Sequence, residues 1–133
     1  MSSIYKTYTS DKGVDGNVNQ SFEADSCFHT GLDLNAWWQV DLTEIYRITK
    51  VVLYNRLFTE NANRASDLDL LFGTTLDTII IVKKVLGQIN DIHSFTFTDD
   101  EKARYVKVML QNQNFLHLCE VQVYGYDVLQ PSR

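Results

Sequence analysis

Residues 26–42, SCFHTGLDLNAWWQVDL, set Cys27 two places ahead of His29 and then run into Trp37 and Trp38. A thiol and an imidazole this close fit three uses: a metal site, a nucleophile with its base, or a cross-linked β domain with a polar pocket at its rim. Two more stretches carry polar chemistry. KGVDGNVN, residues 12–19, is an Asp-Gly-Asn turn rich in oxygen donors. It is too short for an EF-hand loop and lacks that loop's acidic positions. Read plainly, it is a turn in which Asp and Asn bond their own backbone and Gly takes positive φ. LYNRLFTENANR, residues 53–64, is a strand running into a polar loop with Arg56 and Arg64 at its ends. Its plain reading is solvated surface charge. The three histidines, His29, His93 and His117, lack zinc spacing, and the last two read as strand residues with local hydrogen bonds. There is no glycine-rich phosphate loop, no HExxH and no GxSxG elbow. No activated nucleophile or acid–base pair is visible, so the chain does not read as an enzyme.

These groups need a scaffold, and the rest of the chain describes one. A length of 133 residues implies one domain, and 44% apolar with 22% charged residues is ordinary for a globular protein. The net charge of -5 argues against nucleic acid, which calls for a basic patch, and gives no support to adsorption on anionic lipid. No apolar run is long enough to insert into a membrane, and residues 1–20 are too polar for a signal peptide. Short β-branched or aromatic segments recur at 48–54, 68–72, 79–86, 93–98, 104–110 and 117–126. In RYVKVML, Val106, Val108 and Leu110 face one way while Tyr105, Lys107 and Met109 face the other. Many short strands at close spacing predict an all-β antiparallel sandwich or barrel whose loops carry the function. Two cysteines far apart are either buried thiols or one disulfide, and pattern alone does not choose.

SCFHT, WWQVDL, LYNR and LCEVQVYGY together resemble the F-type lectins, or fucolectins, of the discoidin-like jelly rolls. The resemblance covers nearly the whole chain and implies an antiparallel β-sandwich that recognises terminal L-fucose on glycans. In the family, a histidine after the first cysteine is followed 27 positions later by an arginine at a strand end, and here that arginine is Arg56. A second basic residue closes the next loop; Arg64 stands there, directly before ASDLDLLFG. By likeness, His29, Arg56 and Arg64 contact the sugar, and Phe22 forms part of an apolar wall for its methyl group. The forked guanidinium suits vicinal oxygens. The sequence also departs from the family. Phe58 replaces the aspartate of an arginine-x-aspartate pattern, two loop cysteines are absent, and the interval from Arg56 to Arg64 is one residue longer than usual. Affinity and linkage preference should shift accordingly.

The resemblance further implies a structural Ca2+ ion. It would be held by the carbonyls of Lys12, Asn17 and Cys119, the side chains of Asp15 and Glu120, and Ser26, an oxygen-only set suited to a hard cation. It pairs Cys27 with Cys119 and so places the domain outside the reducing cytosol, as a secreted or cell-surface module. Family members begin with a strand missing here, yet VLQPSR joined to MSSIYK restores it. Residues 127–133 then match the family's N-terminal segment, and the unit is circularly permuted, completing its own sheet or a neighbour's. Tandem repeats, as in bivalve sperm bindins, or a homo-oligomer follow as expected assemblies, with fucosylated glycoproteins as partners. The competing reading is a discoidin-like adhesion module that binds a protein or a glycan without fucose.

Overall fold

The computed structural model describes residues 1–21, 26–56, 64–98 and 101–128. Eight strands follow in order: β1 (Phe28–His29), β2 (Trp37–Tyr54), β3 (Leu68–Gly73), β4 (Ile80–Lys84), β5 (Ile92–Thr96), β6 (Lys102–Leu110), β7 (His117–Leu118) and β8 (Glu120–Asp127). Every pairing between them is antiparallel. The expected all-β antiparallel architecture is therefore the observed one.

The long β2 organises the molecule. Its first part pairs with β6, from Trp37 opposite Met109 to Asp41 opposite Tyr105. Its last part lies between β5 and β8, with Leu53 opposite both His93 and Val121. The change of partners coincides with a break in register between Asp41 and Tyr46. Thr43 there takes a left-handed φ of 73°, and its N–H donates to Asp41 Oδ1 at 2.8 Å. This turn-like interruption lets one strand serve both layers of the sandwich. The sheet continues from β6 to β3 and ends at β4.

Alternation along the strands fills the core. Val106, Val108 and Leu110 of β6 are buried, as their spacing predicts, and pack with Val51, Leu53, Leu68, Leu70 and Phe72. Phe28 stacks on Trp38 with ring centroids 5.5 Å apart. The Trp38 indole also fixes a loop: its Nε1–H donates to the Ser10 carbonyl at 2.9 Å. A Cβ on Gly13 would approach that indole to 2.8 Å, so only glycine lets the 3-10 turn Ser10–Gly13 sit on the ring.

The segment read as one strand over 117–126 is divided at Cys119. Residues before it pair with β1, and residues after it pair with β2. Cys119 is disulfide-bonded to Cys27, and its N–H donates to the Tyr54 carbonyl at 2.8 Å. These two restraints turn the chain from one partner to the other. The permutation reading rests mainly on residues 129–133, outside the described residues; Asp127 pairs with Tyr46 at the end of β8.

Candidate functional site

The disulfide ties β1 to β7, and this short ladder positions His29 opposite His117. Thr30 secures it: its N–H donates to the Leu116 carbonyl at 2.9 Å, and its hydroxyl accepts the Leu116 N–H at 2.9 Å. Arg56 leaves β2 two residues past Tyr54. The buried Asn55 guides this exit, accepting the Arg56 N–H on Oδ1 at 2.8 Å while its own N–H donates to the Asp91 carbonyl at 2.9 Å. Arg64 stands ahead of the buried Ala65, whose carbonyl accepts the Ile89 N–H.

These three side chains share one hollow of about 260 Å3, lined also by Tyr5, Lys6, Tyr8 and Phe115. Histidine and both arginines thus converge from separate elements. Phe22 and Phe58 lie outside the described residues. Sequence reasoning missed Tyr5, Lys6, Tyr8 and Phe115 because backbone bonds, not periodicity, bring them here. The Tyr5 N–H donates to the His29 carbonyl at 2.9 Å, and the His29 N–H donates to the Tyr8 carbonyl at 3.2 Å. Ser2 and Ser3 hydroxyls both donate to Asp33 Oδ2, pinning the chain start that feeds this turn. The aromatic residues make a continuous wall: the rings of Tyr5 and Phe115 lie 4.7 and 5.4 Å from the His29 ring, and the Arg64 guanidinium rests 4.6 Å over Phe115.

The imidazoles are neutral at physiological pH. His29 is 3% exposed, and burial above all pushes its pKa down to about 4. The hydrogen bond to Thr30 opposes this shift, and the fields of Arg56 and Arg64 reinforce it. His29 Nδ1 lies 2.5 Å from the Thr30 carbonyl. A carbonyl only accepts, so Nδ1 carries the proton and Nε2 the lone pair. His117 stacks on His29 at 5.0 Å. Contrary to the expected local hydrogen bonds, neither of its buried ring nitrogens meets a hydrogen-bond partner among the described residues. Burial, then the neighbouring His29 and arginines, hold its pKa far below the ordinary value.

The expected ion set lies on the other side of the disulfide. Asp15, Asn17 and Asn19 form a staircase in which each side chain accepts the N–H two residues on, at 2.9, 3.0 and 2.9 Å. The plain turn chemistry of this stretch is therefore present. The Gly16 N–H donates to Glu120 Oε2 at 3.0 Å, whereas the buried Glu120 Oε1 has no hydrogen-bond partner among the described residues. Burial raises the Glu120 pKa to about 7, and the adjacent Asp15 carboxyl raises it further despite the Gly16 bond. Ser26 Oγ donates to the carbonyls of Asn19 and Ser21 at 2.5 and 2.9 Å. No cluster of three or more His, Cys, Asp or Glu occurs among the described residues. Two facing carboxylates, one with an unsatisfied oxygen, fit a hard cation completed by carbonyls.

Residues 12–108 match the family described as NedA-like, galactose-binding domain. Fucolectin-1 of Anguilla japonica is 36% identical over 83% of this chain. The lectin domain of lectinolysin, solved with Lewis B antigen, is 35% identical with a TM-score of 0.84, covering 93% of this chain and 89% of that one. The chain belongs to the fucolectin family, within the discoidin-like fold. A fucose binding module from Streptococcus pneumoniae is 32% identical at a TM-score of 0.84, covering 93% and 87% of the two chains. The chain spans 64% of the length of fucolectin-1. No helix among the described residues is long and apolar enough to cross a membrane.

Proposed function

We propose that this chain is a non-enzymatic lectin domain recognising terminal L-fucose on extracellular glycans, with His29, Arg56 and Arg64 as the sugar contacts. The reading is carried by the meeting of these three side chains in one hollow of about 260 Å3 with aromatic walls. A sugar hydroxyl both donates and accepts. Guanidinium N–H groups of Arg56 and Arg64 donate to hydroxyl oxygens, while the His29 lone pair accepts a hydroxyl proton. The aromatic faces cover the apolar side of the sugar. Cys27 is disulfide-bonded, so the loop offers no thiol nucleophile.

A Ca2+ ion is part of the same proposal, held by Asp15, Glu120, Ser26 and the carbonyls of Lys12, Asn17 and Cys119. The ion would supply the positive charge that lets both carboxylates stay ionised. Glu120 adjoins Cys119 and Ser26 adjoins Cys27, so this bracing reaches the base of the loop that carries His29. Tandem or oligomeric display would multiply a weak single site.

Isothermal titration with methyl α-L-fucoside tests the sugar reading. Binding by the parent chain and a tenfold to hundredfold loss in Arg56→Ala are expected, since a charged hydrogen bond contributes about 1.5–3 kcal/mol. A flat glycan array from a folded protein would instead favour a protein or non-fucose ligand.

A further inference from the structure

Among the described residues, four aromatic rings approach the His29 imidazole, and one differs from the rest in place and in tether. Tyr5, Tyr8 and Phe115 stand in loops and line the hollow, with ring centroids 4.7, 6.2 and 5.4 Å from that of His29. Their planes are inclined to the imidazole by 38°, 43° and 55°. His117 belongs to β7, is buried, and lies 5.0 Å away at an inclination of 27°. Of the four it lies most nearly flat against the imidazole.

Its place is fixed from both ends of a short ladder. His117 is the cross-strand partner of His29 in the β1–β7 pair. Directly opposed residues send their side chains to one face, which brings the two rings together. Past Phe28 and Leu118, the ladder ends in the Cys27–Cys119 bond. Past His29 and His117, Thr30 and Leu116 exchange two hydrogen bonds of 2.9 Å. The strands are thus held against slipping, and the His117 ring is held with them. His29 needs such a neighbour. Its Nδ1–H bond to the Thr30 carbonyl fixes one atom of the ring, and a ring held at one atom can still tilt about it. That tilt decides where the Nε2 lone pair points. Burial keeps the imidazole neutral, with a pKa pushed down to about 4, so the lone pair is available at neutral pH.

We propose that His117 is a positioning residue for the sugar site: its ring face fixes the plane of His29 and so aims the Nε2 lone pair at a hydroxyl of the bound sugar. The inference rests on the fucose reading above and adds a residue buried beneath the contacts. Two substitutions separate the ring face from the volume it fills. His117→Phe keeps a flat face, whereas His117→Leu keeps apolar bulk without one. Nitrogen chemical shifts of the His29 ring, read on labelled protein without sugar, report its tautomer. Calorimetry with methyl α-L-fucoside at neutral pH reports the sugar contact. The parent and His117→Phe should both show a protonated Nδ1 and a bare Nε2, with affinities within about twofold of each other. In His117→Leu the two nitrogen shifts should move toward each other as the ring exchanges tautomers. Its affinity should fall roughly threefold to tenfold, the worth of about one neutral hydrogen bond. A merely structural loss would leave the tautomer signature in place. Either readout holding its parent value in a folded His117→Leu would overturn the inference, as would a His117→Phe that behaves like His117→Leu. A parent that binds no fucoside would instead overturn the fucose reading. The nitrogen shifts would then still confirm or refute His117 as the residue that holds His29.

Discussion

Two clusters of opposite character flank the Cys27–Cys119 bond. On one side His29 and His117 sit under the arginines, and burial drives their pKa values down. On the other, Glu120 faces Asp15, and burial drives its pKa up to about 7. Each cluster holds buried polar atoms without a hydrogen-bond partner among the described residues: the two ring nitrogens of His117, and Oε1 of Glu120. Burial favours the neutral form of both kinds of group, but the surrounding charges are reversed. Under the proposed function, one side would receive the oxygens of a sugar and the other a cation. A single cross-link holds both.

Removing that cross-link should have the largest effect. A disulfide joining cysteines 92 positions apart contributes about 4–5 kcal/mol in the chain-entropy account. Replacing both cysteines with alanine should lower the melting temperature steeply and weaken sugar binding and calcium response together. Loss of only one response would show that the clusters are independent.

Calcium comes next. At a hundredfold excess over its dissociation constant it should add about 2.7 kcal/mol, raising the melting temperature by roughly 10 °C. Chelator should remove the gain, and Glu120→Gln should abolish it. An unchanged transition would refute the ion site.

The pH dependence separates the clusters more finely. In chelator, folded Glu120 keeps its proton up to about pH 7, above its ordinary 4.5. Its contribution is present below pH 4.5 and is lost as pH rises through 7. His29 behaves oppositely: its contribution is full above pH 6.5 and is lost as pH falls through about 4. Thermal melts of Glu120→Gln in chelator should lack the decline between pH 4.5 and 7. Fucose affinity should stay level from pH 8 to 5 and fall below about 4, where a protonated His29 no longer accepts a hydroxyl. The smallest effect belongs to His117→Phe, which keeps a ring against His29 and removes two unsatisfied nitrogens. It should raise stability by on the order of 1 kcal/mol in denaturant titration.

Much of the scaffold was legible because burial imposes a period of two. The β6 alternation follows from it, whereas the strand read over 48–54 begins much earlier, at Trp37. The division at Cys119 was not legible, since a covalent bond overrides a continuous β pattern there. Residues 79–86 likewise shorten to Ile80–Lys84, after the 3-10 turn at Leu76–Thr78. The meeting of His29 with Arg56 and Arg64 was readable through family spacing alone. Tyr5, Lys6, Tyr8 and Phe115 gave no signal, because loops approach through single backbone bonds that leave no repeat in the sequence. Glu120 was matched as a ligand, but its unsatisfied oxygen and raised pKa depend on burial that only the fold reveals.

The long β2 has a consequence for biogenesis. Trp37 must find Met109, and Leu53 must find Val121, across most of the chain. On the ribosome the first part of this strand waits for β6 and its last part for β5 and then β8, and pairings so distant in sequence form slowly. Cys27 and Cys119 can therefore be joined only late in synthesis, and this domain should depend on chaperones longer than a helical one of equal size.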